Sequence, residues 1–158
     1  MEQYNKHFRN SNSRSDFKSG KNNLEWEKLK KPNKPLSEYY ADKEKLLLPE
    51  QYAYEVAQKF KPISTSQLRK ILSQVKIAKS EAESGRFKEA KNKLFALLPL
   101  TAYNVGRCKK SERQKMNPLY LFLKENLKPE TLQTEKDIFL FDELFTSIIA
   151  YHKYLKGE

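Results

Sequence analysis

The stretch Ser64-Thr65-Ser66-Gln67-Leu68-Arg69-Lys70-Ile71-Leu72-Ser73-Gln74-Val75-Lys76-Ile77-Ala78-Lys79-Ser80-Glu81-Ala82-Glu83-Ser84-Gly85 begins and ends as one helix. Ser64 is a favoured N-cap, and Gln67 three residues on completes a capping box. Ile63 and Leu68 stand at the two positions of a hydrophobic staple, and Pro62 stops whatever precedes. Inside, Leu68, Ile71, Leu72, Val75, Ala78 and Ala82 recur at helical spacing, and Gly85 is a natural terminator. Arg69 and Lys76, seven residues apart, fall on one side of this helix beside the apolar stripe.

Downstream the same period returns. Residues 86–97 form a helix with Phe87, Ala90, Leu94, Leu97 and Leu98 inward, and Pro99 kinks or restarts it. Gly106 in the apolar run that follows costs about 1 kcal/mol against Ala, which predicts a packing or close-approach reason for it. A helix over 112–127 carries Leu119, Phe122, Leu123 and Leu127, with Pro118 a candidate for its true start. The segment 135–156 reads as a long helix in which Ile138, Phe141, Phe145, Ile148, His152 and Leu155 form a wide face, enough for contact on two sides. Upstream, 36–48 and 50–60 read as two short helices split by Pro49.

With 20 Leu against 3 Val and 6 Ile, strand formers are scarce. The expectation is an all-α fold: a compact helical bundle of about five helices, one domain over 35–158. Residues 1–34 are rich in Asn, Ser and Lys and poor in aliphatic residues, too polar to offset their ordering entropy. They are expected to form a basic, disordered or loosely attached flexible N-terminal arm, with a possible helical turn at Leu24, Trp26 and Leu29.

The chain carries 31 Lys and Arg against 20 Asp and Glu, a net charge of +11. Such an excess favours polyanionic partners, since each cation near a phosphate releases counterions; a solvated basic surface is the competing reading. Of that charge, +5 lies in residues 1–34, while 135–158 is slightly acidic, so the basic surface belongs to the arm and the middle of the chain.

The single cysteine, Cys108, excludes an intrachain disulfide and a cysteine-cluster metal site, and reads as a small core residue. Of the two histidines, His7 lies in the arm and His152 on the apolar stripe of the last helix, where a packing role outweighs that of a ribonuclease base. Neither zinc-protease spacing nor a glycine-rich phosphate loop is present, and Asp142 and Glu143 read as solvation. No catalysis, no metal and no cofactor are expected. No segment has the length and apolarity of a membrane span or of a signal peptide, so a cytoplasmic protein is expected.

Three segments in order carry more. They are Ser64-Thr65-Ser66-Gln67-Leu68-Arg69-Lys70-Ile71-Leu72, then Leu100-Thr101-Ala102-Tyr103-Asn104-Val105-Gly106-Arg107, then Phe141 to Lys153 ending Ala150-Tyr151-His152-Lys153. Together, over about 64–155, they resemble the small subunit of the type III-A (Csm-type) CRISPR effector complex. The resemblance implies an all-α, non-catalytic subunit that stacks in several copies along the guide–target RNA duplex. Its implied partners are CRISPR RNA, target RNA, the backbone and large subunits, and further copies of itself, in antiviral defence. It implies that Arg69, Lys70 and Arg107 face RNA phosphates, with Lys76 by its position beside Arg69. Lys109, Lys110 and Lys153 are further candidates. Asn104-Val105 and Pro99 depart from the pattern of the middle motif. The alternative is a helical protein-interaction module whose basic face is only solvated.

Overall fold

A computed structural model describes residues 26–157, and the first 25 residues of the expected arm lie outside the described residues. Every regular element among those described is a helix. Two are single turns, α1 (Leu36–Tyr39) and α2 (Lys43–Leu47). Six are longer: α3 (Tyr52–Lys59), α4 (Thr65–Glu83), α5 (Phe87–Phe95), α6 (Leu97–Gly106), α7 (Lys110–Asn126) and α8 (Glu135–Lys156). The expected all-α bundle is what the chain forms, with more and shorter helices than the five expected.

The differences have local causes. Residues 36–48 are two turns because Asp42 accepts hydrogen bonds from the Glu44 and Lys45 N–H groups and starts a new helix. Pro99 restarts the chain as the third residue of α6, where an N–H has no intrahelical acceptor to lose. Pro118 does not start α7; the helix runs through it. Met116, Leu119, Phe122 and Leu123 are buried on either side of Pro118, and that burial outweighs the lost bond. Gln114, whose carbonyl loses its partner, is exposed, so water is at hand. Gly106 has no close neighbour where a Cβ would stand, so the expected packing reason is absent.

The C-terminal helix α8 organises the rest. It packs against α1, α2, α3, α4 and α5, while α7 pairs with α6. Phe141 and Phe145, one turn apart on α8, stack at 5.9 Å between ring centroids. Phe122 of α7 lies 6.2 Å from Phe141, and Phe60, just after α3, meets Phe122 edge-on at 5.7 Å. All four rings are fully buried. Trp26 continues the series onto Phe60, so the described end of the N-terminal segment lies against the bundle. The Lys30 N–H also donates to the Tyr52 hydroxyl, whose pKa burial pushes up to about 12.

Buried polar groups tie distant segments to α8. Asp137 is fully buried at its first turn. One carboxylate oxygen accepts from the Ser37 N–H at 2.8 Å, the other from the Gln133 and Thr134 N–H groups at 2.9 Å each. The last of these is the return half of a capping box, with Asp in place of Glu or Gln. Near the other end, His152 Nε2 lies 3.1 Å from the Phe60 carbonyl and 2.9 Å from that of Ile63. It donates to both, joining the C-cap carbonyl of α3, which also accepts from the Ile63 N–H, to the carbonyl just before α4. Tyr40 donates to Asn126 at 2.7 Å, and the Leu36 N–H to the Thr131 carbonyl at 3.0 Å.

Burial pushes the Asp137 carboxyl up, but the hydrogen bonds from Ser37, Thr134 and Gln133 outweigh it and hold it below its ordinary 3.8. A depressed native pKa stabilises the fold above the ordinary value, and that contribution is lost as pH falls through the native value. Urea unfolding is therefore expected to show stability declining as pH drops below about 4. Asp137→Ala is expected to cost about 3 kcal/mol at neutral pH, because three backbone donors lose a charged acceptor. The same variant should show a flatter acid limb than the wild type.

Candidate nucleic-acid interface

The capping box read from the sequence is formed. Ser64 Oγ accepts from the Gln67 N–H at 3.1 Å, and Gln67 Oε1 accepts from the Ser64 N–H at 3.4 Å. Leu68, Ile71, Val75, Ala78 and Ala82 of α4 are buried, which turns Arg69, Lys70 and Ser73 outward. Helix α8 runs antiparallel to α4: its C-terminal Lys153 stands by the start of α4, and its Asp142 by the far half. Arg69, Lys70 and Lys153 meet around a shallow cleft of about 510 Å³, with the hydroxyl side chains of Thr65, Ser66 and Ser73 between them. All three cations are exposed, and none has a carboxylate within ion-pair distance among the described residues.

Lys76 sits two turns further along the same side of α4, and its ammonium is 2.8 Å from Asp142 Oδ1. Lys79 approaches Asp142 Oδ2 at 3.7 Å. Asp142 is only 5 % exposed. It is thus a structural counter-charge on the α4–α8 seam, and reading it as a solvated carboxylate is corrected by its burial. No motif announced this pairing; its one sequence signal is a carboxylate at the edge of a strongly apolar helix face.

Arg107, Lys109 and Lys110 lie elsewhere, at the turn from α6 to α7. The Arg107 guanidinium is 5.8 Å from the centre of the Tyr103 ring, and Tyr103 is 66 % exposed. Lys109 is the N-cap of α7 and Lys110 its first residue. The turn is fixed by Arg113, which sequence reading passed over. Its Nη2 donates to the Gly106 carbonyl at 2.7 Å and its Nε to the Cys108 carbonyl at 3.2 Å. Cys108 is half-buried against the core, its thiol donating to the Asn104 carbonyl.

His152 is fully buried. Among the described residues no group of His, Cys, Asp and Glu is arranged to hold a metal ion, and no helix is long and apolar enough to cross a membrane.

A family model described as Csm2 Type III-A matches residues 43–158, from α2 onward. The chain belongs to this family. As a member it is a small subunit of the type III-A CRISPR effector complex, as the three-segment resemblance implied, and the family is one of structural subunits. No curated protein and no solved structure matches the chain. The family match covers both helices of the cationic cleft and the whole α6–α7 turn, and leaves residues 1–42 outside.

The two kinds of cation should separate in stability measurements. Lys76→Met leaves buried Asp142 with only the more distant Lys79, and is expected to cost about 1–2 kcal/mol, between an exposed and a buried pair. Arg69→Gln, which breaks no pair, should stay within about 0.5 kcal/mol of the wild type. Paired thermal or urea unfolding curves measure both.

Proposed function

We propose that this chain is a non-catalytic small subunit that contacts RNA phosphates without reading sequence, and that copies of it stack along the guide–target duplex of the effector complex. The observation that carries the reading is the convergence of Arg69, Lys70 and Lys153, unpaired among the described residues, from two helices onto one hydroxyl-lined cleft. Cations without a carboxylate partner, gathered at one open cleft, suit phosphate oxygens, which accept hydrogen bonds and carry charge. The family membership supplies the ribonucleoprotein setting. Arg107 on the exposed ring of Tyr103 is a second contact, where a guanidinium meets a phosphate and the ring can stack on a base. Lys109 and Lys110 extend it. Lys76 contributes field at the cleft while its ammonium is held by Asp142. The absence of catalysis is supported by the burial of His152 against two carbonyls.

The second reading, a protein-interaction module, draws on a different surface. The broad face of α8 is used up inside the bundle. What remains is a cluster around Pro49, Tyr54, Tyr151 and Tyr154, the last 76 % exposed. Stacked copies would use such a surface as well, so the readings differ in whether the cations matter.

Fluorescence anisotropy with single-stranded RNA at several salt concentrations separates them. Arg69→Glu and Arg107→Glu are each expected to weaken binding equally across RNA sequences and to flatten the salt slope by about 0.7 per lost phosphate contact. Unchanged affinity and slope in both variants would sink the assignment and favour the module.

A further inference from the structure

A larger cleft, of about 690 Å³, opens further along the α4–α8 seam. Its walls carry Lys43 of α2, Lys76 and Lys79 of α4, and Lys136 of α8, with Asp142 and Glu143 the acidic groups among them. Four ammoniums against two carboxylates leave an excess of two positive charges.

The carboxylates do not absorb the lysines fully. Lys76 Nζ lies 2.8 Å from Asp142 Oδ1 and is the close partner of that carboxylate. Lys79 is more distant from the same carboxylate, and its side chain is 36 % exposed. Lys43 is ion-paired with Glu143. Lys136 is exposed and has no carboxylate partner among the described residues. Lys136, unpaired among the described residues, and partly exposed Lys79 on the walls of one cleft suit phosphate oxygens.

The geometry relates this cleft to the first. Arg69, Ser73 and Lys76 fall on one line along α4, and Asp142, Thr146 and Lys153 on one line along α8. The two lines face each other in opposite directions across the seam, so the clefts lie end to end. From Arg69 to Lys79 the helix advances about 15 Å. That is roughly four nucleotides of a stacked strand at about 3.4 Å each.

We infer that the second cleft continues the RNA track, so that one single-stranded backbone runs along the α4–α8 seam and places phosphates on Lys79 and Lys136 after leaving Arg69, Lys70 and Lys153. Asp142 lies in the wall of the second cleft. This rests on the RNA reading above and extends it to lysines that neither the sequence motifs nor the resemblance singled out.

The test uses the full chain and short oligouridines of increasing length, with anisotropy read across a salt series. Lys136→Glu breaks no contact and so carries the test without a folding penalty; Lys79→Gln is its companion. Each is expected to lower affinity several-fold and to flatten the salt slope by about 0.7. Affinity of the wild type should rise with RNA length until about seven nucleotides, the roughly 25 Å that α8 advances from Lys153 to Lys136, and then level off. If Arg69→Glu flattens the slope while Lys136→Glu and Lys79→Gln keep that of the wild type, the second cleft is a solvated ion-pair network and the track ends at Lys70. If the lysine variants flatten it and Arg69→Glu does not, the second cleft stands and the first assignment falls. If the chain retains no RNA at low salt, the RNA reading falls and the extension with it.

Discussion

Four phenylalanine rings, from the end of α3, from α7 and from two turns of α8, form one dry column through the bundle. Each packs on a neighbour from another part of the chain, apart from the adjacent pair on α8. A column of this kind fixes where α8 must lie, because its rings occupy one edge of a helix that cannot rotate without exposing them. With α8 fixed, its polar residues fall at set places: Asp137 against the Ser37 amide, His152 against the Phe60 and Ile63 carbonyls, Asp142 against Lys76. The surface chemistry on the α4–α8 seam is thus a by-product of aromatic packing beneath it.

That seam also shows how a basic protein keeps its cations from crowding one another. Where Lys76 and Lys79 converge on the seam, a nearly buried carboxylate stands between them. Where cations are spread over two helices, at Arg69, Lys70 and Lys153, no carboxylate is needed. Repulsion between the two lysines is relieved locally by that carboxylate. The same logic appears at the α6–α7 turn, where Arg113 spends its guanidinium on the Gly106 and Cys108 carbonyls while Arg107 rests on an aromatic face.

Helices bounded by strong local signals were legible. The Ser64 box and the Gly85 stop framed α4, and the wide apolar stripe framed α8 over the range it occupies. What escaped was decided by tertiary burial. Pro118 reads as a break, and only the packing of Leu119, Phe122 and Leu123 carries a helix through it. Asp137 in the box position was missed because a capping box is sought as Glu or Gln, and its third donor comes from Ser37, a hundred residues away. For the site, periodicity placed Arg69 and Lys76 on one side of α4 correctly. It could not tell which of them meets a carboxylate, since that carboxylate belongs to another helix.

The partners of α8 lie far behind it in the chain: Ser37 is a hundred residues from Asp137, and Phe60 is ninety-two from His152. Synthesis runs from the N-terminus, so every helix that α8 holds emerges from the ribosome before α8 exists. Until then Phe60 and Phe122 have no roof, and the Phe60 and Ile63 carbonyls lack the His152 ring that joins them. The bundle can close only when the final turns carrying His152 come free. The groove between α4 and α8 likewise has only one wall before that moment.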